Sequence, residues 1–232
     1  MRLRMRNQNK INKLLIFDLD GTLVDSLNSI KSAGNVFMTE IGLPPITHEE
    51  ARARIGAGPD AFICGALDSR GYKATERDVR RFAGLYQEYA CEGTRAFPGA
   101  DQALRTLLKA GVDLALCTNK PSGSVYVVLS AMRWDGVFEP VIAGDSLPEK
   151  KPNPAPLLMC LKACGIRAKD ALMVGDSAHD SCAAEAAGID FVLHEGGYSG
   201  STLRTARPRA QFADFRVLPT LCLELLDRRT ND

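Results

Sequence analysis

The sequence predicts an α/β fold: a three-layer, Rossmann-like parallel sheet with an all-helical segment inserted after its first strand. Three observations carry this. Leu14-Leu15-Ile16-Phe17 is a short continuous apolar run that ends in Asp-x-Asp-Gly, as a strand buried on both faces of a parallel sheet does where it meets a turn. From Pro98-Gly99 onward helical and strand patterns alternate across short loops, the pattern of repeated right-handed βα units. Between these regions the periodicity is helical, with no convincing strand after the first until Phe97 is passed.

The elements follow in order. Residues 1 to 12 read as a solvated basic arm; the apolar run behind them is too short for a signal peptide and runs straight into Asp18. After the first strand, Leu27, Ile30, Ala33, Phe37 and Ile41 recur at helical spacing until Gly42 and Pro44-Pro45 stop them, and Asp25 and Ser26 stand where N-caps belong. Further helices are expected near 48 to 55, 59 to 70 and 75 to 92. The alternating region then gives helices at 100 to 110, 122 to 132, 154 to 164, 178 to 187 and 218 to 227. Strands are expected at 112 to 117, 141 to 143, 171 to 174, 190 to 193 and 210 to 213, and Gly111, Gly165 and Gly188 close three of the helices. The organisation is a core of residues 13 to 25 and 97 to 232, with a helical cap of residues 26 to 96.

Bulk properties narrow the function. A chain of 232 residues has room for one large domain or a core with a smaller one. Its 29 Lys and Arg against 28 Asp and Glu leave no overall field to hold a polyanion, so no nucleic-acid partner is expected. Hydrophobic content of 45% and charged content of 25% fit a soluble globular chain, and no stretch approaches membrane-spanning length. Seven scattered cysteines without a C-x-x-C pair suit reduced thiols and a cytoplasmic location. Three histidines are too few to make Cys160 and Cys164 a convincing zinc site. Monomer and homodimer both stay open.

In an open parallel sheet, ligands lie beyond the carboxyl ends of the strands. The loops there carry Asp18-Leu19-Asp20-Gly21-Thr22, Thr118-Asn119-Lys120, the segment from Asp145 to Lys151-Pro152, and Gly175-Asp176-Ser177-Ala178-His179-Asp180. Acids gathered at one edge repel unless a cation offsets them, and carboxylates with a lysine and a hydroxyl suit Mg²⁺ and phosphate. One carboxylate of the Asp18/Asp20 pair can attack phosphorus while the other handles protons, with Lys151 and Thr118 stabilising the phosphoryl charge. Ser177 is expected to orient Asp176 or Lys151, and His179 lacks the context of a Ser-His-Asp triad. Arg54, beside Gly56 and Gly58, is a candidate to meet a substrate carboxylate.

These motifs resemble those of the haloacid dehalogenase superfamily over nearly the whole chain. The first stands as Asp18-Leu19-Asp20-Gly21-Thr22-Leu23-Val24-Asp25-Ser26, the second ends at Thr118, the third is Lys151 within Lys150-Lys151-Pro152, and the fourth is Gly175-Asp176-Ser177 with Asp180. The resemblance implies Asp18 as nucleophile, Asp20 as acid/base, and Lys151 as the cation that holds nucleophile and phosphate. It implies Mg²⁺ on Asp18, the Asp20 carbonyl and Asp176, Asp180 ordering the metal's waters, Thr118 and Asn119 on the phosphate, and a type 1 helical cap. Asp20 disfavours dehalogenation. The phrases Arg54-Ile55-Gly56-Ala57-Gly58, Glu92-Gly93-Thr94, Thr118-Asn119-Lys120-Pro121 and Gly196-Gly197-Tyr198-Ser199 are similar to a branch acting on a small phosphorylated metabolite, 2-phosphoglycolate. A sugar phosphatase, a pyrophosphatase, a phosphosugar mutase and a non-catalytic phospholigand-binding protein remain as alternatives.

Overall fold

The computed structural model describes residues 12–198 and 208–228. All but the last residue of the expected basic arm lies outside them. The chain enters through β1 (Leu14–Phe17) and a two-residue strand, β2 (Val24–Asp25), then passes through α1 (Leu27–Glu40), α2 (His48–Arg54), α3 (Pro59–Asp68) and α4 (Glu76–Glu88). It returns through β3 (Arg95–Ala96) and then alternates: α5 (Ala100–Lys109), β4 (Asp113–Cys117), α6 (Ser122–Ala131), β5 (Val141–Ile142) and α7 (Ala155–Cys164). A 3₁₀ turn (Ala168–Asp170) leads into β6 (Ala171–Gly175), followed by α8 (Ala178–Ala187), β7 (Asp190–His194), β8 (Ala210–Phe212) and α9 (Leu218–Arg228).

Six strands form one sheet in the order β5-β4-β1-β6-β7-β8, and every pairing is parallel. The chain builds outward from β1 on one side, then crosses over to β6 on the other, so the switch point that opens a ligand crevice falls at β1. Phe17 lies opposite both Leu116 and Val174, which brings Asp18, Thr118 and Asp176 off the sheet at nearly one level. Side chains alternate about the sheet as the strand period requires. Leu15, Phe17, Leu114, Leu116 and Val174 pack into one buried cluster with Leu104, Val128 and Leu218, from α5, α6 and α9. Leu14, Ile16, Ala115, Cys117 and Met173 pack into another with Leu157, Cys160 and Ala184, from α7 and α8. Each fully buried Leu, Ile, Val or Phe contributes roughly 1.5–3 kcal/mol.

The helical insertion has its own core. Phe37, Phe62 and Phe82 converge, Phe62 and Phe82 stacking at 5.7 Å and Phe37 meeting Phe82 edge-on at 6.2 Å. The expected helices at 59 to 70 and 75 to 92 end earlier, at Asp68 and Glu88, where the chain turns. The expectation of no strand between the first and Phe97 is corrected: β2 and β3 form an antiparallel ribbon with Val24 opposite Ala96 and Asp25 opposite Arg95. Two-residue strands carry no readable period, and this one exists only because the two passages between sheet and helical insertion lie side by side. No helix among the described residues is long and apolar enough to cross a membrane.

Candidate active site

The loops after β1, β4, β5 and β6, with the first turn of α8, bring Asp18, Asp20, Thr118, Lys151, Asp176 and Asp180 into one buried region. The backbone N–H of Asp18 donates to the Val174 carbonyl at 2.9 Å, tying the start of the first loop to β6. Gly21 turns that loop with φ of 83°, and a Cβ there would stand 2.5 Å from Asp176 Oδ2, so glycine is required by conformation and by space. The turn lets the Thr22 hydroxyl donate to Asp176 Oδ1 at 3.1 Å, while the Tyr198 N–H donates to Oδ2 at 2.7 Å.

Lys151 Nζ donates to Asp18 Oδ1 at 2.9 Å, to Asp180 Oδ1 at 2.6 Å and to the Cys117 carbonyl at 2.6 Å. Burial pushes this ammonium down, but the charges of Asp18 and Asp180 outweigh it and hold the lysine protonated well above its ordinary range. Asp180 is fully buried as the third residue of α8, where it closes a capping box: Ser177 N and Oγ donate to its Oδ2 at 3.0 and 2.7 Å. Ser177 thus orients Asp180, and reaches Lys151 only through it; its expected contact with Asp176 or Lys151 is corrected.

Carboxylate oxygens of Asp18, Asp176 and Asp180 lie within 4.8 Å of one another. Burial first, then Asp180 and Asp20, push the Asp18 carboxyl up to about 7 even against Lys151, which lowers it. Burial, then Asp180 and Asp18, raise Asp176 to about 8, opposed by the Tyr198 N–H and the Thr22 hydroxyl. Among the described residues, four buried acids, Asp18, Asp20, Asp176 and Asp180, face two buried lysines, Lys120 and Lys151, so that full ionisation would leave two negative charges in surplus. A set of hard oxygen donors with that surplus fits a divalent metal ion.

Asp20 is held apart from this cluster. Ser26 Oγ donates to its Oδ1 at 2.6 Å, and Lys120 Nζ donates to its two oxygens at 3.1 and 3.2 Å. Lys120 also donates to the Tyr86 hydroxyl at 3.2 Å and stands 4.6 Å from the centre of that ring. The expected capping by Ser26 is corrected: Ser26 occupies the N-cap of α1 without a side-chain capping bond, because its hydroxyl is turned to Asp20. Asp25 does accept from the Leu27 N–H at 3.2 Å. Asp145 receives the Ser122 N–H and hydroxyl at the start of α6, a local cap away from the acids.

The structure brings Asn119 to the site through its side-chain amide, which donates to the carbonyls of Gly56 and Lys151 and accepts from the Lys151 N–H. This amide fixes the backbone of Lys151 and joins it to the helical insertion. Arg54 is not brought to the others: its guanidinium donates to the carbonyls of Glu50 and Gly65 within the insertion. A small pocket lies over the acids, lined by Asp18, Asp20, Thr118, Asn119 and Lys120 below and by Ile55, Phe62 and Tyr86 among the residues above. Lys120, Tyr86 and Tyr198 were not candidates from sequence; Lys120 stands two residues past Thr118, and only its burial against Asp20 marks it out.

Buried acids and lysines beneath a helical insertion, at the switch point of a parallel sheet, define a haloacid dehalogenase-like hydrolase. The family model of that description, haloacid dehalogenase-like hydrolase, matches residues 15–194, and the chain belongs to this family. Within it the chain is phosphoglycolate phosphatase-like. It is 38% identical over 223 residues to the phosphoglycolate phosphatase of Pseudomonas syringae pv. tomato, covering 93% of this chain and 82% of that one. It is 35% identical over 214 residues to the phosphoglycolate phosphatase of Rhodospirillum rubrum, covering 89% of each. A crystal structure of a predicted phosphoglycolate phosphatase from Haemophilus somnus 129PT superposes with a TM-score of 0.83 at 33% identity, covering 90% of this chain and 97% of that one.

Proposed function

We propose that the protein hydrolyses 2-phosphoglycolate to glycolate and inorganic phosphate through a phosphorylated Asp18. The observation that carries this is the Lys151 bridge: one buried ammonium holds Asp18 and Asp180 together beneath the pocket, beside Asp176. The identity of the curated relatives supports the substrate.

Asp18 attacks phosphorus, the bond from phosphorus to the glycolate oxygen breaks, and Asp20 gives that oxygen its proton. Asp20 then takes a proton from water as the water attacks the phosphoaspartate, which releases phosphate and restores Asp18. Lys151 keeps the charges of nucleophile and phosphoryl group together, and the Thr118 hydroxyl, which accepts from the Lys120 N–H at 3.2 Å, donates its proton to a phosphoryl oxygen. Asp18, Asp176 and the Asp20 carbonyl would hold Mg²⁺, with Asp180 ordering its waters; bound there, the ion would offset phosphoryl charge and favour the ionised carboxylates. Residues 26 to 96 serve as a cap domain that excludes water from a core of 13 to 25 and 97 to 232. The enzyme acts in the cytoplasm.

Phosphate release with Mg²⁺ across 2-phosphoglycolate, sugar phosphates, nucleotides and pyrophosphate tests the substrate, and a strong preference for another ester rejects it. Asp18→Asn is expected to fold and to lose turnover by ~10⁴-fold or more, within the range of groups that act as one catalytic unit. Retained phosphate release would reject the mechanism.

A further inference from the structure

We propose that Lys120 determines specificity by pairing with the anionic end of the leaving group, which is the carboxylate if the substrate is 2-phosphoglycolate. This rests on the phosphatase reading above and adds the residue that selects the ester. The pocket has an apolar roof, with Ile30, Ile55 and Phe62 facing the acids. A carboxylate carried into such a space loses its water and needs a charged partner there. Among the described residues, Lys120 is the one cation that lines the pocket; Arg54 is turned away onto the carbonyls of Glu50 and Gly65.

The two buried ammoniums of the site differ in how they are held. Lys151 has three separate partner groups, all at 2.9 Å or less, which match its three N–H donors. Lys120 has two partner groups among the described residues, the Asp20 carboxylate and the Tyr86 hydroxyl, and each contact is 3.1 Å or longer. Its three N–H groups are spent on one carboxylate and one hydroxyl at these longer distances, so a substrate carboxylate can take over one of the two contacts to Asp20 while the other stays. The Tyr86 ring against it fixes where the charge stands, and being mounted on α4 it ties that position to the helical insertion.

The distances suit the ester. In 2-phosphoglycolate the carboxyl carbon is two bonds from the oxygen that leaves. Asp20, proposed to protonate that oxygen, touches Lys120, so a cation stands one contact beyond the bond that breaks. Gly58, which lines the same pocket, is the residue before α3, and the positive end of that helix therefore adds to the field at the same place. Asp18, at the other end of the lining and backed by Asp176 and Asp180, disfavours a second anion there.

Ethyl phosphate has the same O–CH₂–C skeleton with a methyl group where the carboxylate stands, so the ratio of kcat/KM for 2-phosphoglycolate to that for ethyl phosphate reads carboxylate recognition alone. Lys120→Met is expected to lower this ratio by ~100-fold or more, chiefly through KM for 2-phosphoglycolate. Lys120→Arg, which keeps the charge, is expected to retain most of the preference. If Lys120→Met does not fold, Lys120→Gln gives the same reading with a polar, neutral side chain. Loss of activity toward both esters by one common factor, with the ratio unchanged, would overturn the proposal and leave Lys120 as a support for Asp20. The wild-type ratio is the separate control: a wild-type enzyme without preference for 2-phosphoglycolate rejects the substrate assignment, whatever the variants do.

Discussion

Tyr198 grips Asp176 with its backbone and the junction of sheet and helical insertion with its hydroxyl. Its N–H donates to Asp176 Oδ2 at 2.7 Å, while its hydroxyl accepts from the Ser26 N–H at 2.6 Å and donates to Asp25 Oδ1 at 2.9 Å. Arg52 of α2 reaches the same segment, donating to the carbonyls of Gly197 and Tyr198 at 2.6 and 3.1 Å. Gly197 and Tyr198 therefore join the Asp176 carboxylate, the entry to α1 and a helix of the insertion.

Tyr198→Phe removes the acceptor of a buried backbone N–H and leaves the bond to Asp176 in place, since that bond is made by the backbone. An unsatisfied buried donor costs about 1–3 kcal/mol. Urea denaturation should show that loss as a lower midpoint with an unchanged slope, and an unaltered midpoint would mean that water replaces the hydroxyl without cost.

A second prediction compares one substitution at two glycines. A Cβ on Gly197 would lie 2.2 Å from the Asp176 Cβ, whereas at Gly42, with φ of 69°, nothing stands within 4 Å. Gly42→Ala should cost about 1–2 kcal/mol from its left-handed backbone alone and leave kcat/KM within about twofold. Gly197→Ala should displace Asp176, with overpacking of about 1–3 kcal/mol and a far larger loss of activity. Equal kinetic effects at the two positions would show that the loop yields without moving the carboxylate.

Ser177 offers a third. Ser177→Ala removes a helix cap worth about 1 kcal/mol, and takes one of two donors from Asp180 Oδ2 while leaving its Oδ1 on Lys151. Activity should fall by less than about tenfold, whereas Asp180→Ala strips Lys151 of a partner and should cost far more. Steady-state kinetics on the two variants decides this, and a Ser177→Ala loss as large as that of Asp180→Ala would place Ser177 at the reacting groups.

The sheet was legible because its strands are buried on both faces and read as apolar runs that end in polar loops, as Leu14 to Phe17 does before Asp18. Those loops also placed Asp18, Asp20, Lys151 and Asp176, since a strand's carboxyl end in this fold is where a ligand must lie. Local spacing did not reveal pairings made across long sequence distances. The β2–β3 ribbon joins residues that no short pattern connects. Lys120 reads as an ordinary loop lysine until Asp20 and Tyr86 are found against it, 100 and 34 residues away in sequence. Ser26 shows the converse: a good N-cap type is locally persuasive, but a tertiary partner turns the hydroxyl to Asp20, as helix carbonyls hold the Arg54 guanidinium.

The raised carboxyl groups make metal binding depend on pH with a definite sign. Without metal, Asp18 stands at about 7 and Asp176 at about 8, both above the unfolded carboxylate value of 3.8, with burial the main cause. The folded protein therefore binds more protons than the unfolded chain between about pH 4 and pH 8, and the metal-free protein loses stability as pH rises through that window. A divalent cation takes the ionised pair, so at about pH 6 it must displace these protons and above about pH 8 it need not. Two neighbouring carboxyl groups titrate as a pair, and the affinity for Mg²⁺ should rise by about one to two logarithmic units per pH unit below pH 7, then flatten. Thermal melts with and without Mg²⁺ should accordingly show a small gain near pH 5.5 and a large one near pH 8.5. Calorimetry in buffers of different ionisation enthalpy should count the protons released, and a Mg²⁺ gain that is the same at both pH values would mean that these carboxyl groups do not hold the ion.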